Sequence, residues 1–152
     1  MVNKCFIWVS VAAASMVLLS EGIMGMDLER YRWQNRLLLL FAAGENTPEY
    51  MKIAEEIEQH RHEMKDRDLV VIRLLESGSS KVDGQSLSDN ETKQLRTRFE
   101  ALPGRFKAVL IGKDGGVKLT RNDALRLQEV FDRIDAMPMR QREMRERESL
   151  RK

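Results

Sequence analysis

The sequence predicts an α/β domain whose central mixed sheet is covered by helices on both faces. Two apolar runs, residues 37–42 and Leu69–Leu75, are continuous rather than alternating, which is how strands buried on both sides read. An amphipathic helix lies between them, so the two strands form a right-handed βαβ unit. A glycine-containing turn at residues 112–116 then joins two further strand-like runs, and that hairpin makes the sheet mixed rather than parallel.

The first helix carries explicit start signals. Thr47 can cap it, Pro48 suits the first helical position, and Glu49 favours the positive end of the helix dipole. Tyr50, Ile53, Ala54, Ile57 and Met64 fall on one face, while Lys52, Glu55, Glu56, Glu58 and Glu63 fall on the other. Arg73, late in the second strand, is expected where the strand leaves the core. Residues 77–84 are rich in Ser and Gly and read as a loop. Ser88 and Glu91 have capping-box spacing, with Leu95 and Phe99 on the buried side of a second helix that ends at residues 102–104.

Residues 106–111 form the third strand and residues 117–120 a short returning strand with Lys118 facing water. Ala124, Leu127, Val130, Phe131 and Ile134 recur at helical spacing until Pro138 stops the helix. The order β-α-β-α-β-β-α, a parallel pair followed by an antiparallel hairpin, is that of a thioredoxin-like core. Beyond Arg140 the residues are nearly all charged, with pairs such as Glu143 and Arg147 one turn apart, so a solvated helix or a frayed tail is expected.

The N-terminal segment reads as an export signal. Lys4 precedes an uncharged apolar run at residues 6–19, shorter than the ~20 residues a membrane span needs. Ser20 and Gly22 supply the small residues for cleavage after Gly22, and Gly25 offers a second cut; an uncleaved membrane anchor is the alternative. This divides the chain into a signal at residues 1–25, a domain at 26–138 and a charged tail at 139–152. Cys5 is the single cysteine of the 152 residues and precedes the apolar run. It cannot be a lipoprotein acceptor, and it leaves with the signal. The mature chain then has neither a disulfide nor a nucleophilic thiol.

Four stretches resemble a thioredoxin-like domain-of-unknown-function family of small exported bacterial proteins. They are YRWQNRLLL at 31–39, RDLV at 67–70, LIGKDGGVK at 110–118, and IDAMPMR at 134–140 followed by Glu143 and Met144. The same domain occurs at the C-terminus of sushi-repeat-containing extracellular proteins and in a coiled-coil-domain-containing matrix protein. The resemblance implies a secreted protein of thioredoxin-like fold with no established enzymatic activity.

In a redox-active thioredoxin fold a Cys-x-x-Cys pair sits between the first strand and the first helix, where the helix N-terminus lowers the thiol pKa. Aligned on Pro48, Asn46 and Glu49 stand where the sulfurs would be. The proline expected before the third core strand is also missing, with Lys107 near its place. No catalytic residue, cofactor or metal site is therefore expected. His60 and His62 do not face the same way two residues apart on a helix, and a partly buried, structural His60 is expected. Met137, Met139 and Met144 are expected to pack at a helix end, with soft Cu(I) ligation the alternative. The helix start at Thr47 offers either a self-satisfied cap or an anion site.

Tyr31 and Trp33 are expected to pin the N-terminal segment to the core. A net charge of +2 gives no reason to expect nucleic acid. The leading functional expectation is an exported, secreted or periplasmic, non-catalytic module that binds another exported protein, with no membrane contact after cleavage and its oligomeric state open. The candidate surface comprises Glu45, Asn46, Thr47 and Glu49, with the corner at Met137, Met139 and Arg140. The alternative is a thiol-independent enzyme, or an accessory subunit of a redox system, that uses the same loop.

Overall fold

The computed structural model describes residues 26–151. The signal, its two cleavage positions and Cys5 lie outside the described residues. A six-stranded sheet runs in the order β4-β3-β2-β1-β5-β6. β1 (Arg36–Ala42) is central, parallel to β2 (Leu69–Leu75) and antiparallel to β5 (Lys107–Ile111). β6 (Val117–Arg121) closes the β5 edge as a hairpin. The parallel pair and the antiparallel hairpin are those the apolar runs predict.

Alternation along the strands splits the core into two layers. Leu38, Leu40 and Ala42 face one side with Ala108 and Leu110, and α1 (Pro48–Gln59) and α4 (Leu127–Asp135) cover them through Ile53, Ile57, Val130 and Ile134. Leu37, Leu39 and Phe41 face the other side with Ile72, Leu74 and Val109. There α3 (Asp89–Arg98) contributes Leu95, and a 3₁₀ turn at Leu28–Tyr31 contributes Leu28. Helices on both faces are why β1 has no polar residue after Arg36.

Local chemistry explains the element ends, and several depart from expectation. The Ser88 hydroxyl accepts from the Glu91 amide while the Glu91 carboxylate accepts from the Ser88 amide, a complete capping box. The first helix does not run on to Met64. It breaks at His60, and α2 (Arg61–Asp66) follows as a separate turn and a half. The Ser/Gly loop contains a small hairpin, β3 (Lys81–Val82) with β4 (Gln85–Ser86), in which Val82 is buried against Ile72.

Ala124 is exposed and lies outside α4, which starts at Leu127; Leu125 takes the buried place. Tyr31 is half-buried, but Trp33 does no pinning. It is 61% exposed at φ 65°, with its amide donating to the Lys113 carbonyl, while Met26 and Leu28 are the buried anchors. Lys118 is half-buried and bonded to Asp114 at 2.6 Å rather than facing open water. Among the described residues no helix is long and apolar enough to cross a membrane.

The central strand sets the expected mutational response. Leu40→Ala, at a fully buried β1 position, is expected to cost about 3 kcal/mol, whereas Leu102→Ala at an exposed site is expected to cost under about 0.5 kcal/mol. Urea midpoints at constant slope measure both.

Candidate functional site

β1 has seven residues rising roughly 3.3 Å each, so its two ends lie about 20 Å apart. The candidate residues divide between those ends. Glu45, Asn46, Thr47 and Glu49 follow the C-terminal end, whereas Met137, Met139 and Arg140 lie beside Arg36 at the N-terminal end. The structure does not unite them into one surface.

At the C-terminal end the loop is tied to β2, because the Ser77 amide donates to the Ala43 carbonyl at 2.9 Å. Gly44 packs closely there: a Cβ would lie 3.2 Å from the Ser77 hydroxyl, so a larger residue needs that side chain to shift. Thr47 occupies the cap position, but its hydroxyl donates back to the Gly44 carbonyl at 3.1 Å and caps no helix amide. Glu45 and Asn46 are exposed, and Glu49 in the first turn of α1 places negative charge on the dipole. Tyr50, the buried neighbour, is held as a neutral phenol: burial raises its pKa most, and Glu45 and Glu58 add to this against Arg73.

The β5 register sets Lys107 opposite Phe41, and the Lys107 ammonium donates to the Phe99 carbonyl at 2.6 Å. Asn46 and Glu49, aligned with the sulfur positions, carry no thiol. His60 is more exposed than expected. It sits 3.3 Å from Glu63 and edge-on to Phe131, and no group of three metal-binding side chains occurs among the described residues.

The N-terminal end is built of charge. Arg36 is 1% exposed, and its guanidinium grips Glu143 through two bonds of 3.2 and 3.3 Å while donating to the Arg67 carbonyl at 2.8 Å. Lys113, from the β5–β6 turn, bonds the same Glu143 at 2.8 Å and Asp68 at 2.9 Å. Arg140 is also buried; it bonds Asp66 and Asp135, and Asp135 in turn accepts from Arg67, whose guanidinium lies 4.4 Å above the Phe131 ring. Arg147 reaches Asp66 as well.

The charged tail is therefore a helix, α5 (Pro138–Ser149), fastened by Arg140, Glu143 and Arg147 to groups elsewhere in the domain. The expected pair of Glu143 with Arg147 does not form; each serves a distant partner instead. The four stretches singled out in the sequence supply Arg36, Arg67, Asp68, Lys113, Asp135, Arg140 and Glu143, and all converge here. Sequence reasoning did not assemble this node, because its partners lie up to 107 positions apart and follow no period. A charged residue opening a fully apolar run, as Arg36 does, was the one signal available.

Opposing effects set the acidity of these groups. Burial pushes the Glu143 carboxyl up, but hydrogen bonds from Lys113 and Arg36 outweigh it and hold it below its ordinary 4.5. Asp66 behaves likewise, with burial outweighed by Arg140.

A thioredoxin-like domain with no cysteine pair is the class that this fold and loop define. The chain belongs to the family described as Domain of unknown function (DUF4174), which matches residues 27–143. It is similar to coiled-coil domain-containing protein 80 of Danio rerio, 25% identical over 139 residues, a match spanning 81% of this chain but 16% of that protein's length. Among solved structures it is similar to the reduced 2-Cys peroxiredoxin of Plasmodium vivax (17% identity, TM-score 0.55, 76% of this chain and 84% of that one). It is also similar to thioredoxin peroxidase I of Plasmodium yoelii (16% identity, TM-score 0.55, 76% and 79%). These likenesses establish the thioredoxin-like fold.

Two outcomes test the charged node. Glu143→Ala strands a buried guanidinium and is expected to cost about 3 kcal/mol, while Arg36→Met with Glu143→Leu recovers most of that loss. A carboxyl depressed by folding stabilises above its ordinary value and ceases to do so as pH falls through its folded value. The parent is therefore expected to lose more stability between about pH 5 and pH 3 than Glu143→Gln, with urea unfolding at each pH as the measurement.

Proposed function

We propose that this chain is an exported, non-catalytic thioredoxin-like domain that acts by binding another exported protein in the envelope or extracellular space. One observation carries the reading: the loop that would hold the reactive thiols has Asn46 and Glu49 in their places, and the single cysteine, Cys5, lies in the apolar leader. Thiolate attack needs sulfur at the helix start, and the first turn of α1 presents a carboxylate there instead. Export is supported by the charged and apolar pattern of the leader. The scaffold remains suited to presenting a loop, because Glu45 and Asn46 stand exposed on a rigid strand end.

The purified exported chain is expected to consume hydrogen peroxide and reduce insulin no faster than buffer; turnover above the blank overturns the reading. A photo-crosslinking residue at Asn46 is expected to trap an exported protein in the native compartment, whereas the same residue at Lys93 on α3 traps none. Equal trapping at both positions excludes the loop as the binding surface.

A further inference from the structure

We propose that the cleft between the β5–β6 turn and the α4–α5 corner binds a monoanionic amphiphile, a carboxylate joined to a flexible apolar chain. The cleft encloses about 420 Å³, within the range of small-molecule sites. Ala136, Met137, Pro138 and Met139 make one wall apolar, and methionine adapts its shape to a flexible chain. Arg36, Lys113, Lys118 and Arg133 supply the cations, with Asp114 the one carboxylate in the lining.

The charge balance selects the ligand. Lys118 is matched by Asp114, and Arg36 and Lys113 are matched by Glu143 and Asp68. Glu143 also faces Arg140 at 3.8 Å, so the lining keeps a surplus of positive charge. Arg133 carries it: its Nε donates to the Lys118 carbonyl at 2.9 Å, and it has no ion-pair partner among the described residues. A cation without an ion-pair partner suits a carboxylate, and an uncharged ligand would cover that cation without pairing it.

The backbone adds donors at the same place. α5 begins in the cleft wall, its cap residue Met137 has no oxygen to offer, and its first turn has no acidic side chain. Pro138 has no N–H and the Gln141 amide donates to the Met137 carbonyl at 3.0 Å, which leaves the Met139 and Arg140 amides as the donors open to an anion. This site lies at the opposite end of β1 from the 45–49 loop, and the proposal holds whether or not that loop binds protein.

Titration calorimetry of the exported chain with sodium decanoate tests it, with decanol as the neutral twin and ¹⁵N shifts to locate the site. One decanoate per chain is expected at or below about 1 mM, with no binding of decanol. Arg133→Glu is expected to weaken binding at least about tenfold at an unchanged melting temperature, with Arg133→Gln giving a smaller loss should the reversal disturb folding. The perturbed amides should be those of Gly112, Lys118 and Met139. Absence of binding at that concentration, equal binding of decanol, indifference to both Arg133 variants, or shifts confined to other surfaces would each overturn the proposal.

Discussion

Every residue of β1 is buried, and the strand has a hydrogen-bonded neighbour on each edge and a helical layer on each face. A strand enclosed on four sides meets the surface only at its two ends, so any chemistry the sheet positions must occur at one end or the other. At the C-terminal end the chain passes into the loop that precedes α1. At the N-terminal end the enclosure includes Arg36, and a buried guanidinium must find carboxylate and carbonyl partners or cost several kcal/mol. That requirement ties together α2, the β5–β6 turn, α4 and α5.

α5 is held in an unusual way for so small a domain. It has no continuous apolar face, and Arg140, Gln141, Glu143 and Arg147 tie it to the rest of the fold. Hydrophobic burial is insensitive to exact placement, but a bidentate guanidinium–carboxylate pair fixes distance and angle together. Charged anchoring thus trades net stability for a defined position, and the corner at Met137 and Pro138 is held against the β5–β6 turn as a consequence. The cleft between them inherits its shape from that geometry.

The parts of the fold legible in sequence are those governed by a local or periodic signal. The second apolar run has the same bounds as β2, the first falls one residue inside β1, and the capping box at Ser88 is complete. Where the sequence misled, a non-local contact decided. Two-residue strands such as β3 and β4 have no period to read, and their pairing depends on Val82 reaching Ile72. The helical pattern through Met64 persists across the break at His60, because α2 restarts with its own buried face. Trp33 reads as an anchor by its residue type, yet its left-handed backbone turns the indole outward. The loss of sulfur from the loop was legible outright, since it required only residue identities at fixed spacing. The charged node was not, because a helix without an apolar face gives no indication of what it packs against.

Two helix starts now stand in contrast, one at each end of β1. The start of α1 is the place where a thiol-dependent thioredoxin fold places its positive potential, and here Glu49 offsets the dipole while Thr47 turns its hydroxyl back to Gly44. The start of α5 has neither an acidic first turn nor a capping oxygen, and it lies among Lys113, Lys118 and Arg133. With no thiolate to stabilise, nothing requires positive potential at the α1 end, and a carboxylate can reside there without penalty. A helix start free of acidic side chains and of a capping oxygen stands instead at the far end of the same strand. An anion bound at α5 as proposed would therefore sit at the opposite end of the strand from the place where a thiol-dependent fold holds its reactive group.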